Sequence, residues 1–249
     1  MDRYLAVIPA RYASTRFPGK PLARLKGKTM IQWVYEGASQ RFDHLVVATD
    51  DRRILEAVQE FGGQAVLTDP AHPSGTDRCA EAARIMQKRS AIPFSHVVNI
   101  QGDEPLIRAE QLDALLSCFQ VADTRIATLV RPLEDLADLQ NPNVVKVVLD
   151  KEGKALYFSR APIPYLRDRE KMNEGFRPAY THLGLYAFRS ETLDELIALP
   201  PSALELTESL EQLRWLENAY EIQTAKTSHA SRGVDCPEDL ERLEKDLLL

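Results

Sequence analysis

Three basic side chains lie close together near the start of the chain. Arg11, Arg16 and Lys20 fall within residues 9–20, PARYASTRFPGK, which follow a short apolar run. Arginine offers a planar fork of donors to phosphate oxygens and lysine a compact charge, so the mixture suits a polyphosphate. A solvated surface loop is the alternative. The functional interpretation is favoured because connections in α/β folds usually span about 2 to 6 residues, and longer ones are commonly functional.

Two aspartates are candidate metal ligands. Asp103 follows a second apolar run, and Asp235 directly precedes a predicted helix. Mg²⁺ is usually held by one or two carboxylates together with substrate phosphates and water. Each aspartate also has a structural alternative, because Gly-Asp is a common turn pair and Asp235 with Glu238 matches a capping box. Pro237 near the helix start reinforces the capping interpretation. The residues alone leave both roles open.

Several catalytic motifs do not occur in the sequence. The chain has no G-x-G pair, no G-x-x-x-x-G-K-[ST] loop and no G-x-S-x-G elbow, and its five histidines form no H-x-x-x-H pair. These absences argue against a dinucleotide-binding fingerprint, a P-loop enzyme, a serine hydrolase of that type and a zincin.

The distribution of charge is uneven. The net charge of −6 argues against a dedicated nucleic-acid binder. Residues 3–35 nevertheless contain seven bases and no acid, which leaves 24 bases against 37 acids in the rest of the chain. An otherwise acidic protein thus concentrates positive charge around the candidate phosphate-binding loop.

Cysteine content and hydropathy predict where the protein works. Three widely spaced cysteines cannot form a disulfide framework or a paired zinc site, which favours a reducing cytoplasm. No apolar stretch approaches the roughly 18 residues that span a bilayer, so we expect a protein that does not insert into membranes.

Short apolar runs alternate with segments of helical period, which is typical of an α/β fold with a largely parallel sheet. The predicted strands are residues 4–8, 45–49, 65–67, 96–100, 126–130, 144–148, 155–158, 183–188 and 221–225, and the predicted helices are residues 29–38, 50–61, 77–88, 109–119 and 237–247. Asp50 is the expected N-cap of the second helix. Ligands bind at the carboxyl ends of the strands in such sheets, so the basic loop and Asp103 are expected to face one crevice.

One region breaks the alternation. Residues 144–148 and 155–158 are joined by a short polar turn and predict a hairpin. Residues 143–222 therefore form a smaller, mixed-sheet subregion inserted in a single domain of residues 1–249.

Seven segments together resemble the 3-deoxy-D-manno-octulosonate cytidylyltransferase (CMP-Kdo synthetase) family of lipopolysaccharide biosynthesis. They are residues 11–20, 72–78, 101–105, 155–160, 182–186, 211–214 and 234–239, and their order and spacing cover essentially the whole chain. The resemblance implies a Rossmann-like nucleotidyltransferase fold. It also implies Mg²⁺-dependent transfer of CMP from CTP to the anomeric hydroxyl of Kdo, with release of pyrophosphate.

The resemblance also implies roles for individual residues. The catalytic residues would be Arg11, Lys20, Asp103 and Asp235, with the two aspartates as metal ligands. CTP would be bound by Arg11, Ser14, Arg16, Lys20, Ser74, Arg78 and Gln101, and the sugar by Gln101, Arg160, His182, Tyr186, Glu211 and Gln212. The fork of Arg160 suits the sugar carboxylate. Glu208 is expected on a helix surface, outside the site.

Related functions stay open at this stage. The chain could act on another acid sugar, such as 8-amino-Kdo or an acylneuraminate, or be a noncatalytic nucleotide-binding protein on the same fold. The family resemblance implies a homodimer, with residues 143–222 as the sugar-binding and dimerisation subregion.

Overall fold

The first apolar run forms a fully covered strand. Strand β1 spans Tyr4–Ala10, and Leu5, Ala6, Val7 and Ile8 are completely buried. Continuous rather than alternating hydrophobicity is typical of a strand that is covered on both faces. The sequence therefore specifies the centre of a layered α/β unit.

The computed structural model describes residues 3–13, 16–167, 179–230 and 233–246. By its contacts the chain divides into two compact units: the first comprises residues 1–112, 189–197 and 231–249, and the second residues 113–188 and 198–230. The described strands after β1 are β2 (Arg24–Leu25), β3 (Lys28–Thr29), β4 (Leu45–Thr49), β5 (Ala65–Leu67), β6 (His96–Asn99), β7 (Ile126–Pro132), β8 (Lys146–Leu149), β9 (Ala155–Ser159), β10 (Tyr180–Arg189) and β11 (Ile222–Lys226).

The first unit contains a parallel sheet. Its strands lie in the order β6-β1-β4-β5, and every neighbouring pair is parallel. The short strands β2 and β3 form a separate antiparallel pair, at residues where the sequence pattern predicts no strand. The carboxyl ends of β1 and β6 are thus adjacent, which places the basic loop and the Gln101–Asp103 turn at the same sheet edge.

The described helices are α1 (Met30–Ser39), α2 (Arg52–Glu60), α3 (Gly75–Arg89), α4 (Ala109–Ser117), α5 (Leu136–Gln140), α6 (Ser190–Ile197), α7 (Ala203–Glu208), α8 (Gln212–Glu217) and α9 (Pro237–Asp246). Thr29 caps α1 as expected, by accepting a hydrogen bond from the backbone N–H of Gln32. The predicted cap of α2 is wrong by one residue: Asp51, not Asp50, accepts from the N–H of Arg53. No helix in the described ranges is long and apolar enough to cross a membrane.

The second unit contains a mixed sheet. Strand β11 is parallel to β7, whereas β10 is antiparallel to both β7 and β8. The predicted hairpin is confirmed, because β8 and β9 pair in antiparallel fashion. The α/β class, with a mostly parallel sheet and a smaller mixed-sheet region, is confirmed. The assignment of residues 143–222 to sugar binding and dimerisation stays a prediction.

Gly102 is required by close backbone packing beyond β6. A Cβ atom at this position would lie 2.8 Å from the carbonyl oxygen of Pro9. Real Cβ atoms do not approach backbone oxygens so closely, and neither backbone segment can move away without shifting a strand end. The glycine therefore allows the Asp103 turn to lie against the start of the basic loop.

We expect Gly102→Ala to lower the free energy of unfolding by about 1 to 3 kcal/mol, the usual cost of forcing an extra methyl group into packed structure. Urea denaturation measures the change. Gly233→Ala is the matched control, because a Cβ there meets no heavy atom within 4 Å. Equal stability of the two variants would contradict the close-packing argument.

Candidate active site

The basic loop is stabilised by a backbone hydrogen bond within it and by a stacking contact with α2. The N–H of Gly19 donates to the carbonyl of Tyr12 over 2.9 Å, and the guanidinium of Arg53 stacks 3.4 Å from the centre of the Tyr12 ring. Gly19 has a positive φ of 72° immediately before a short 3₁₀ helix, Lys20–Leu22. Glycine adopts this conformation without a steric penalty, so the chain can turn sharply here and direct Lys20 inward.

Lys20 joins the two candidate metal ligands. Its Nζ lies 2.8 Å from Oδ2 of Asp103 and 3.4 Å from Oδ1 of Asp235, and its side chain is only 13% exposed. Arg16 extends the cluster, with Nη2 at 3.1 Å from Oδ2 of Asp235. The structure thus brings together residues from the beginning, middle and end of the chain. Both carboxylates lie within reach of one cationic atom.

An apolar cluster holds the end of the chain in this place. Val234, which precedes α9, and Leu243, which lies within it, pack in one buried cluster with Leu25 and Met30. The N–H of Val234 also donates to the carbonyl of Asp103 over 2.9 Å. Burial of these side chains therefore fixes the backbone on which Asp235 is carried.

The capping box predicted for Asp235 and Glu238 is wrong. Helix α9 begins at Pro237, and Oδ2 of Asp239 accepts hydrogen bonds from the N–H groups of Asp235 at 3.0 Å and Cys236 at 3.1 Å. These hydrogen bonds lower the pKa of Asp239. Because Asp239 satisfies the helix start, the carboxylate of Asp235 is available for Lys20 and Arg16.

The charged cluster lines a cavity of about 380 Å³. Its walls are formed by Pro9, Ala10, Arg11, Ala13, Arg16, Lys20, Pro21, Gln101, Gly102, Asp103 and Asp235. A larger cleft of about 600 Å³ lies in the second unit, where Lys154 already pairs with Glu221 over 2.8 Å. The smaller cavity is the better candidate site because it holds the basic loop and both aspartates.

Arg11 is oriented by the loop that carries the 72–78 motif. Its Nη2 donates to the carbonyl of His72. Glu81 on α3 fixes that loop, since Oε2 lies 2.5 Å from Nε2 of His72 and accepts from the N–H of Asp69 over 2.8 Å. The sequence offers no local signal for Glu81, which looks like any acidic residue on a helix.

Ser74 and Arg78 have structural partners at the start of α3. Ser74 caps the helix and donates from Oγ to Asp77 over 2.6 Å. Arg78 is completely buried and donates to Asp50 over 2.8 Å and to Thr68 over 2.5 Å. Burial lowers the pKa of Arg78, and the Asp50 carboxylate opposes that shift. Their predicted roles in CTP binding stay predictions.

Predicted sugar-binding residues meet within the second unit. His182 and Tyr186 lie on β10 with ring centres 5.3 Å apart, and Glu211 and Gln212 lie at the start of α8. Burial raises the pKa of Tyr186, and the negative charge of Glu211 adds to that shift.

Gln101 belongs to the first unit, at the cavity already described. Ser14 lies outside the described residues.

His182 is enclosed by aromatic rings. The ring centres of Phe158 and Tyr186 lie 5.0 and 5.3 Å from that of His182, and Nε2 lies 3.0 Å from Oγ1 of Thr128. Burial lowers the pKa of His182 to about 3. The imidazole is therefore neutral near pH 7 and has one donor and one acceptor nitrogen.

Arg160 follows β9 and contacts Glu208, which the sequence analysis placed on a helix surface outside the site. The carboxylate of Glu208 instead accepts from Oγ of Ser159 over 2.5 Å and from the N–H of Arg160 over 2.9 Å. A helix pattern alone does not indicate such a contact, because the partner lies far away in sequence.

Comparison with known proteins identifies the family. A family model described as cytidylyltransferase matches residues 5–225. The chain is 52% identical over 250 residues to the 3-deoxy-manno-octulosonate cytidylyltransferase of Bacteroides thetaiotaomicron, with 98% of each chain covered. It is 51% identical over 249 residues to that of Parabacteroides distasonis, with 97% of each covered. The chain belongs to the 3-deoxy-manno-octulosonate cytidylyltransferase family.

A solved structure supports membership in the 3-deoxy-manno-octulosonate cytidylyltransferase family. A CMP:2-keto-3-deoxy-manno-octonic acid synthetase complexed with CTP matches the chain with a TM-score of 0.90 at 41% identity, and 99% of both chains is covered. A cytidylyltransferase from Leptospira borgpetersenii, 16% identical, matches with a TM-score of 0.63 over 98% of this chain and 86% of its own. At this identity, the second likeness shows a shared fold alone.

We expect Asp239→Ala to lower the free energy of unfolding by about 1 kcal/mol, a typical cost of losing a helix cap. Glu238→Ala is the matched control and should cost clearly less, because the structure gives the capping contacts to Asp239. Urea denaturation of both variants decides the question. A larger loss for Glu238→Ala would restore the capping box predicted from the sequence.

Burial of His182 should make stability depend on pH. The unfolded chain takes up a proton at this residue below about pH 6.5, whereas the folded protein does so only near pH 3. The free energy of unfolding should therefore fall with decreasing pH, by at most about 1.4 kcal/mol per pH unit from this residue. His182→Gln should show a shallower dependence between about pH 6 and 4. Titration of the His182 ring in NMR spectra above about pH 5 would contradict the assignment.

Proposed function

We propose that this chain transfers CMP from CTP to the anomeric hydroxyl of Kdo and releases pyrophosphate. The observation that carries the proposal is the convergence of Lys20, Asp103 and Asp235 at one cavity. It occurs in a chain about half identical, over nearly its full length, to 3-deoxy-manno-octulosonate cytidylyltransferases. The related structure complexed with CTP supports the choice of nucleotide.

The basic loop supplies charge neutralisation in this reaction. The sugar hydroxyl attacks the α-phosphorus of CTP, and the bond from that phosphorus to the bridging oxygen of the β-phosphate breaks. Phosphoryl-type transfers are catalysed mainly by positioning and by stabilising charge on the phosphates. We assign Arg11, Arg16 and Lys20 to binding the triphosphate and stabilising the departing pyrophosphate, with Ser14, Ser74, Arg78 and Gln101 completing the nucleotide site.

The two aspartates fit a divalent cation. Asp103 and Asp235 converge on one cationic atom, so their oxygens are already arranged around a positive charge. The described residues contain no group of three or more metal-ligating side chains, so substrate phosphates and water would complete the shell, as is usual for Mg²⁺. We propose that these aspartates hold Mg²⁺. When bound, the ion supplies Lewis-acid polarisation of the phosphate.

The sugar side of the reaction is assigned to residues of the second unit. We propose that Arg160 binds the sugar carboxylate and that His182, Tyr186, Glu211 and Gln212 bind the hydroxyl groups. Nε2 of the neutral His182 ring lies 3.0 Å from Oγ1 of Thr128, so the ring offers its second nitrogen, Nδ1, to a sugar hydroxyl.

We further propose that the protein is a cytoplasmic homodimer. The family resemblance supports the dimer, and the small, odd number of cysteines supports a reducing compartment. Size-exclusion chromatography with light scattering measures the assembly state directly. A molecular mass near the 28.1 kDa of one chain would exclude the dimer.

A substrate panel tests the activity itself. Pyrophosphate release is measured for CTP, UTP, ATP and GTP, each with Kdo, 8-amino-Kdo and an acylneuraminate. We expect CTP with Kdo to be the preferred pair. Preference for another acid sugar would reassign the substrate within the same chemistry, and no release from any pair would support a noncatalytic nucleotide-binding protein.

We expect Asp103→Asn to keep the fold and to lose roughly 100-fold or more of the turnover, because a metal ligand and its charge are removed. EDTA should abolish the activity of the unmodified protein, and added Mg²⁺ should restore it. Asp43→Asn is the matched control, since Asp43 is exposed and lies away from the cavity lining. Near-normal turnover of Asp103→Asn in Mg²⁺ would contradict the assignment of Asp103 as a metal ligand.

A further inference from the structure

A buried lysine holds the backbone around Arg160. Lys146, at the start of β8, is completely buried. Its Nζ donates to the carbonyls of Asn141 at 2.8 Å, Val144 at 2.7 Å and Arg160 at 2.5 Å. An ammonium group has three N–H donors, so backbone carbonyls use all of them. Lys146 thus links the backbone of residues 141–144 to that of Arg160 through hydrogen bonds.

Glu208 binds the backbone N–H side of Arg160. Its carboxylate accepts the N–H of Arg160 over 2.9 Å and the hydroxyl of Ser159 over 2.5 Å. The backbone of Arg160 is therefore bound on its N–H by an anion and on its C=O by a cation. Burial lowers the pKa of Lys146, and the nearby Glu208 opposes that shift. A charge taken out of water needs such compensation, so the two residues depend on one another.

The side chain of Arg160 uses acceptors on the segments that these two charges fix. Its Nε donates to the carbonyl of Glu208 over 2.8 Å, Nη1 to Pro142 over 3.0 Å and Nη2 to Ser209 over 3.4 Å. A guanidinium has five N–H groups, so the contacts with described residues leave one on each terminal nitrogen for a ligand. That pair matches the two oxygens of a carboxylate.

We infer that Lys146 and Glu208 are positioning residues that set the preference for acid sugars by holding the guanidinium of Arg160 ready for a carboxylate. The inference rests on the proposed function and gives roles to two residues outside the predicted site. Lys146 immobilises the segment that contains the Pro142 acceptor, and Glu208 immobilises the end of α7. The entropy of ordering a long side chain is then lost on folding and not on binding. A neutral sugar gains nothing from this arrangement.

The test uses Lys146→Met and Glu208→Gln, each of which removes a charge with little change in size. We expect each to raise the KM for Kdo about 10-fold, as for other residues that orient a binding group, with kcat and the KM for CTP changed less than about 3-fold. Lys151→Met and Glu217→Gln are the matched controls, because both residues are exposed in the same unit. Equal effects on CTP and Kdo would show a purely structural role and overturn the inference.

A double-mutant cycle links the effect to Arg160. Arg160→Ala alone should raise the KM for Kdo, and adding Glu208→Gln to it should have little further effect, because the group that Glu208 positions is gone. An undiminished effect of Glu208→Gln in that background would contradict the inference. Circular dichroism and thermal unfolding confirm that each variant folds. Should Lys146→Met fail to fold, the Glu208→Gln cycle decides alone.

A readout independent of activity separates this inference from the proposed function. Absence of pyrophosphate release by the unmodified protein with CTP and Kdo would refute the proposed function. The positioning of Arg160 is then judged by NMR of its Nε–H group, which should exchange slowly in the unmodified protein and at least about 10-fold faster in both variants. Unchanged exchange in the variants would overturn the positioning role.

Discussion

The first unit depends on one electrostatic constraint, the pairing of two carboxylates around a single positive charge. Asp103 and Asp235 would repel each other without a cation between them, and Lys20 supplies it in this structure. The basic loop must therefore turn inward at Gly19, and the end of the chain must return to the sheet edge.

Apolar packing holds the segment that carries Asp235 next to the other charged residues. The cluster of Leu25, Met30, Val234 and Leu243 holds the final helix in place without using any charged group. Asp239 satisfies the helix start, so Asp235 has no local hydrogen-bonding duty. Asp239 thus binds backbone N–H groups, whereas its neighbour Asp235 pairs with Lys20 and Arg16 at the cavity.

In the second unit, two opposite charges bind backbone groups and not each other's side chains. Lys146 and Glu208 bind backbone groups on either side of Arg160, whereas Lys20 in the first unit binds carboxylates directly. In both places a charged group is held by partners distant in sequence. Polar atoms with several fixed partners lose little freedom when a ligand arrives, which favours selective binding of charged substrates.

The sequence by itself determined the α/β class, the buried first strand and the β8–β9 hairpin, because hydrophobic periodicity and turn residues act over short distances. It also indicated the basic loop and, in two other segments, Asp103 and Asp235. Its seven motifs also indicated the family. Only the tertiary structure decided which acid caps each helix, since Asp50 and Asp51, like Glu238 and Asp239, are locally equivalent. It also decided that Glu81, Lys146 and Glu208 orient site residues. Those roles arise from hydrogen bonds across long sequence separations, which no local pattern encodes.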